Sequence, residues 1–381
     1  MTATERTYLD WNATAPLRPQ ARAAMLEALD AIGNPSSVHA EGRAARGIVE
    51  TARERVAVLV GAEPRHVVLT ASGTEANMLA LSPKTGGRWQ RLLVSAIEHP
   101  SVRSGGRFAA VEEVAVTAAG LTDLADLAKR LAAGPPALVS IMLANNETGV
   151  VQPIKAIARL AHEAGALLHV DAVQAVGRIP CDINALEADL LTLSGHKIGG
   201  PKGAGALVKR VPLDLDPLVT GGGQERGERA GTENVAAIAG FGAAAGVAEA
   251  NLVAESALMR GLRDRLEAGL RAATPNLIIF GAEAERLPNT TLLALDGLKA
   301  ETAIIRFDLE GVAVSSGAAC SSGKVQPSHV LKAMGVSPAM ARAAVRISLG
   351  PTTTEDDIER FLTAWITVSG PLLQKSRGMA A

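Results

Sequence analysis

Short apolar runs alternate with stretches of helical periodicity along most of this chain. "HVVLT" (66–70), "RLLVSAIEH" (91–99), "ALVSIMLAN" (137–145), "ALLHVDAVQAVG" (166–177), "ADLLTLSGHK" (188–197) and "GAGALVKR" (203–210) predict buried strands. "PQARAAMLEALDAI" and "RAARGIVETARERVAVLV" precede them with helical spacing, and "LTDLADLAKRLA" and "IKAIARLAHEAG" fall between them. Continuous apolar strands separated by helices predict an α/β fold with a mostly parallel sheet covered by helices. The pattern changes at "AGTENVAAIAGFGAAAGVAEANL", a long Ala/Gly-rich helix, with a charged helix following through "LMRGLRDRLEAGL". Beyond it, "NLIIFG", "NTTLLAL" and "VAVSSGAAC" predict strands of a smaller α+β unit. The expected organisation is a large domain over 15–255 and a small C-terminal domain over 256–381, joined by residues 1–14.

A length of 381 residues agrees with more than one core. Composition then narrows the function. A net charge of −1 and an aromatic content of 2% disfavour a nucleic-acid surface and base stacking. The cores must be built mainly from Ala, Val, Leu and Ile. "MTATERTYLDWNATAPLRP" has no apolar leader pattern, and no apolar run reads as long enough to span a bilayer. Cys181 and Cys320 form no CxxC pair or disulfide framework. The expectation is a cytoplasmic protein that binds neither membrane nor nucleic acid.

Several ligand motifs are missing. No GxGxxG follows the first strand, and "GAACSSGKV" has the wrong glycine spacing for a phosphate loop, with Val325 where Ser or Thr should stand. "HEAGALLH" is not HExxH, and no Cys/His cluster has zinc spacing. No metal is expected.

What remains is a set of polar residues at predicted strand ends. "ASGTEAN" places Gly73 and Thr74 at a helix N-terminus, a place where backbone amides bind anions, although Ser and Thr also cap helices without any ligand. "HVDAVQA" puts Asp171 and Gln174 at a strand's carboxyl end, as "SAIEHPS" does His99 and "ANNETG" does Asn145 and Asn146. "SGHKIGGPKG" surrounds Lys197 with glycines, more than a solvated lysine requires. An anion cradle, a carboxylate, a histidine and a framed lysine on one sheet suit pyridoxal phosphate. The lysine would condense with the aldehyde, and Asp171 would keep the pyridine nitrogen protonated.

These motifs, with "YLDWNATAPLRP", "GNPSSVH", "NNETGVVQPI", "GGGQERGERAGTEN", "SSGAACSSGKVQPSHVL" and "AVRISLG", resemble the class V aminotransferase group of fold-type I pyridoxal-phosphate enzymes. Within it they are similar to the NifS/IscS-like cysteine desulfurases, along essentially the whole chain. The resemblance implies that Lys197 carries the cofactor, Asp171 faces its ring nitrogen, and Gln174 and Asn146 lie near its phenolic oxygen. It places His99 over the ring and Gly73, Thr74, Ser194 and His196 around the phosphate. Thr232 would reach the phosphate of a neighbouring subunit, which implies a homodimer with shared active sites. Arg346 would hold the carboxylate of L-cysteine, with Asn34 near the substrate.

Cys320 lies in a Ser/Gly/Ala-rich stretch, where it is either small packing or a mobile nucleophile. The resemblance implies the latter: its thiolate takes the substrate sulfur as a persulfide, alanine leaves, and the sulfur passes to an iron–sulfur scaffold or other acceptor protein. Cys181, in "RIPCDINAL", reads as structural, and Lys202 is the competing lysine. An aminotransferase, a selenocysteine or cysteine-sulfinate lyase, and a sulfur-trafficking relative with little activity alone stay open. Two positions depart from the family pattern. Trp11 replaces a small or polar residue, and Pro351 follows "SLG" where relatives often carry a base.

Overall fold

The computed structural model describes residues 6–84, 87–316 and 328–378, with 371–378 by backbone alone. Its main sheet has seven strands in the order Val67–Thr70, Gly205–Lys209, Leu190–Ser194, Leu167–Asp171, Ala137–Met142, Arg91–Ser95, Val111–Val114. Gly205–Lys209 runs antiparallel to both of its neighbours, and the other pairings are parallel. The expected mostly parallel sheet is therefore observed. The single reversed strand follows from a short return after Lys197, too brief for the crossover that a parallel partner requires.

Alternate strand residues serve opposite faces. Leu93, Val139, Ile141, Leu168, Val170, Leu191 and Val208 enter one core, with the helices Ala40–Leu59, Ile154–Glu163 and Val235–Ala273. Leu92, Val94, Leu138 and Leu167, and separately Val68, Leu190 and Leu207, pack on the other face. Both faces are covered, which explains the unbroken apolar strand sequences.

At the sheet edge, side chains stand in for a missing strand. Arg53 Nη1 donates to Val67 O at 2.9 Å, and Glu225 Oε2 accepts from Leu69 N at 2.8 Å. Arg53 and Glu225 also pair with each other at 2.6 Å in a fully covered site. Glu225 and Arg226 adopt φ of 46° and 57°, left-handed values that this clamp sustains.

The two helices expected across the domain junction are one, Val235–Ala273. No proline or paired glycine interrupts it between Ala248 and Met259, so the backbone ladder has no reason to break. Ala237–Ala248 pack into the main core and Leu262, Leu266 and Leu270 into a second one. Among the described residues this helix alone is long and apolar enough to cross a membrane, contrary to the sequence reading, and 56% of its apolar window is buried within the protein.

The second core surrounds an antiparallel sheet ordered Ser315–Ser316, Val345–Ser348, Thr290–Ala294, Ile278–Ile279. The few aromatics concentrate here: Phe307 stacks on Phe361 at 5.3 Å and on Trp365 at 6.3 Å. Thr7–Tyr8 pairs in parallel with Val312–Ala313, and Leu9 enters this core. Trp11 lies over Gly350 so closely that an added Cβ would come within 2.0 Å of its ring. The departure at Trp11 thus depends on the glycine of "SLG".

Candidate active site

Five strands of the main sheet end at one cavity of about 420 Å³. Thr70 leads to Ser72–Thr74, Ser95 to His99, Met142 to Ala144 and Asn146, and Ser194 to His196 and Lys197; Asp171 is itself a strand's last residue. These are carboxyl ends, where open α/β sheets hold ligands. The small domain adds Ser315, Ser316 and Arg346.

At one end, the helix Gly73–Ala80 begins with a reciprocal cap. Ser72 Oγ accepts from Glu75 N at 3.1 Å, and Glu75 Oε2 accepts from Ala71 N at 2.9 Å. Gly73 and Thr74 form its tip beside Ser194 and His196. Burial and the nearby Lys197 charge push His196 down to about 4, so its ring is neutral at pH 7.

Lys197 follows Ser194 in a 3-10 turn. The N-terminal segment lies across that turn: Ala15 N donates to His196 O at 2.9 Å and Arg18 N to Gly199 O at 2.8 Å. Lys197 Nζ donates to the carbonyls of Asn12 at 2.5 Å and Ala13 at 2.9 Å. Gly199 has φ of 82°, and an added Cβ would meet Arg18 Cγ at 2.5 Å. The glycine frame therefore admits this overlying segment. Burial, then the guanidinium groups of Arg178 and Arg346, lower Lys197 to about 7. Arg178 is itself buried and brought down to about 9; its Nη1 donates to Gln174 Oε1 at 2.5 Å. That bond turns the Gln174 amide so that Nε2 donates to Asn12 O at 3.0 Å.

Asp171 is buried, and accepts from Asn77 Nδ2 at 2.7 Å and Val173 N at 3.0 Å. His99 borders the cavity and is held below its usual pKa by burial. Arg346 is 7% exposed; it donates to Asp10 Oδ1 at 2.8 Å and Asn146 O at 2.9 Å, and its Nε has no partner among the described residues.

Next to His99 in the chain, Glu98 is fully buried and pairs with no cation among the described residues. Its Oε1 accepts from Ser95 Oγ at 2.6 Å and Met142 N at 2.8 Å, and burial pushes its pKa up to about 8. The unfolded chain gives up this proton near pH 4.5, the folded chain near 8, so stability from Glu98 is full below the lower value and lost as pH rises through the upper one. Urea melts of the wild type are expected to lose on the order of 5 kcal/mol from this group across that window. Glu98→Gln should flatten that part of the profile; an unchanged slope would refute the assignment.

Ten of the expected site residues line this cavity together: Gly73, Thr74, His99, Asn146, Asp171, Gln174, Ser194, His196, Lys197 and Arg346. Lys202 does not line it. Asn34 lies outside it, exposed, accepting from Ser36 N at 2.9 Å. Thr232 is exposed and outside this chain's own cavity. Cys320 falls outside the described residues. Cys181 is buried, and burial pushes its thiol pKa up. Sequence reasoning missed Asn12, Asn77, Ser101 and Ser315, which read as ordinary cap and turn residues until the fold brings them together. Only their places within the motifs quoted above could have marked them.

Comparison with known proteins matches residues 7–361 to the family described as "Aminotransferase class-V". The chain is 44% identical over 365 residues to a cysteine desulfurase of Gluconacetobacter diazotrophicus, covering 93% of this chain and 91% of that one. With a cysteine desulfurase of Cereibacter sphaeroides it shares 43% over 389 residues, covering 99% and 98%. The solved structure of a NifS-like protein from Rickettsia africae superposes with a TM-score of 0.89 at 38% identity, over 96% of this chain and 100% of that one. A lysine and a carboxylate at the carboxyl ends of such a sheet, faced by an arginine from the small domain, together with these likenesses, place the chain in the class-V aminotransferase family and, within it, among the cysteine desulfurases of the NifS type.

Proposed function

We propose that the chain takes sulfur from L-cysteine with the help of pyridoxal phosphate, releases L-alanine, and leaves a persulfide on Cys320 for an acceptor protein such as an iron–sulfur scaffold. The observation that carries this reading is the convergence of Lys197, Asp171, His99 and Arg346 on one cavity.

The residues present fit the cofactor. A Cβ at Gly73 would stand 3.1 Å from Ser194 Cβ and from Val173 Cγ2, so a side chain there would crowd the anion end. Helix amides, hydroxyls and a neutral His196 suit a phosphate. Asp171 suits a protonated ring nitrogen, with Gln174 and Asn146 beside the phenolic oxygen. The cofactor, when bound, supplies an electron sink next to the substrate.

The chain's own groups do the rest. Arg346 is oriented by Asp10 and Asn146 and has an unpartnered Nε, so it can take the substrate carboxylate. Lys197 Nζ, neutral above about pH 7, holds the cofactor and accepts the Cα proton. His99, which lines the same cavity, moves a second proton. Cys320 Sγ, as thiolate, bonds to the substrate sulfur; the carbon–sulfur bond breaks with its electron pair on carbon, which takes a proton to become the methyl of alanine. We further propose a homodimer in which Thr232 serves the neighbouring subunit's phosphate site, with Asn34 near the substrate.

Anaerobic incubation with L-cysteine and a thiol reductant should yield alanine and sulfide in equal amounts. Keto acid formed in place of alanine would overturn the reading in favour of amino transfer or elimination.

A further inference from the structure

His99 is tied into a hydrogen-bond chain in which each group has one allowed polarity. The backbone N–H of Ser101 donates to His99 Nδ1 at 3.2 Å, and Ser101 Oγ lies 2.7 Å from the same nitrogen. A backbone amide can only donate, so Nδ1 must present its lone pair. At the other end stands the Asp171 carboxylate, which can only accept. Asn77 therefore turns its NH2 toward it, at 2.7 Å, and the same NH2 reaches Ser101 Oγ at 2.9 Å. With its oxygen accepting from Asn77, Ser101 has its proton free for Nδ1. Asn77 Oδ1 is left buried, without a partner among the described residues. Flipping the amide would set that oxygen against the carboxylate, so the unpaired atom marks the direction of the chain.

We propose that Ser101, aligned by Asn77, is a positioning residue that fixes the tautomer of His99, holding Nδ1 as an acceptor and the ring proton on Nε2. Among the described residues no hydrogen bond to Nε2 is formed, so the neutral ring offers the cavity a donor. The opposite tautomer would point an N–H at the backbone N–H of Ser101. Burial keeps the ring neutral, with Asp171 opposing that shift and Lys197 reinforcing it. His99 then meets the reacting group as an Nε2–H hydrogen-bond donor; a full proton leaves that atom only from the doubly protonated ring, because its loss from the neutral ring would leave an imidazolate.

The inference rests on the reading of His99 as the second proton-moving group, but its test does not. In the holoenzyme with 15N-labelled histidine, the His99 resonances are assigned by their loss in His99→Gln. The wild type should show a protonated Nε2 and an unprotonated Nδ1. Ser101→Ala keeps the backbone N–H at 3.2 Å but removes the closer hydroxyl donor at 2.7 Å, so part of the ring population should shift to the Nδ1–H form, with about a tenfold lower kcat for alanine and little change in KM. Ser101→Thr, which keeps the hydroxyl, should restore both. A dominant Nδ1–H form in the wild type, or an unchanged tautomer in Ser101→Ala, would overturn the inference. A mixed tautomer with unchanged turnover would support it and sink instead the role given to His99.

Discussion

Lys197→Ala is expected to bind the cofactor without linking to it and to lose activity by roughly 10²–10⁴-fold from the missing proton transfer alone. Borohydride reduction should add the cofactor's mass to a peptide containing Lys197 in the wild type and to no peptide in the variant. A label on Lys202 instead would reassign the lysine. The structure argues against that, because Lys202 is outside the cavity while Lys197 Nζ sits at its wall under the carbonyls of Asn12 and Ala13. The pH dependence follows from the direction of the Lys197 shift. Only the neutral amine attacks an aldehyde, and burial with Arg178 and Arg346 lowers the ammonium's pKa to about 7. Capture of free cofactor by apo-protein should therefore be level above that pH and fall about tenfold for each unit below it. Arg178 contributes part of this, so a curve still rising to pH 10 would mean that the amine is not depressed.

Lys197 was legible because its glycines leave a mark in the sequence. "KIGGPKG" is needed so that residues 12–18 can lie across the turn, and Gly199 in particular allows Arg18 to cross it. Asp171, His99 and Asn146 were legible as polar residues at or just past the ends of apolar strands, where open α/β sheets hold ligands. The overlying segment was not legible in that way. Asn12 binds through its backbone oxygen to Lys197 and Gln174, and through its side chain to Thr290 and Asn289, from three separate parts of the chain. No local pattern encodes such convergence. Arg178 was hidden for a similar reason: one turn after Gln174 it reads as a surface cation, and only tertiary packing buries it. The reversed strand Gly205–Lys209 and the unbroken helix Val235–Ala273 were likewise outside the reach of periodicity, which reports which face is buried but not direction or continuity.

Cys320→Ala is the second large effect, and it separates sulfur transfer from every other use of the same site. The variant should still bind cofactor and substrate, because Lys197, Asp171 and Arg346 are untouched, so L-cysteine should still change the cofactor's absorption. Alanine and sulfide should fall by ~10²-fold or more, as when a nucleophile is removed from its site. In the wild type, alkylation under anaerobic conditions should trap a persulfide on the peptide containing Cys320. The other cysteine supplies the control. Cys181 is 3% exposed, its Sγ donates to Ile179 O at 3.3 Å, and burial raises its pKa, so it is neither accessible nor ionised at neutral pH. Cys181→Ala should leave the persulfide in place. Alanine formed at the wild-type rate by Cys320→Ala would place carbon–sulfur cleavage on the cofactor and lysine alone, as in a lyase, and remove the thiolate from the mechanism. Loss of the persulfide with normal absorption changes would locate the function of Cys320 after substrate capture, where a nucleophile on a separate segment can meet the sulfur and carry it away.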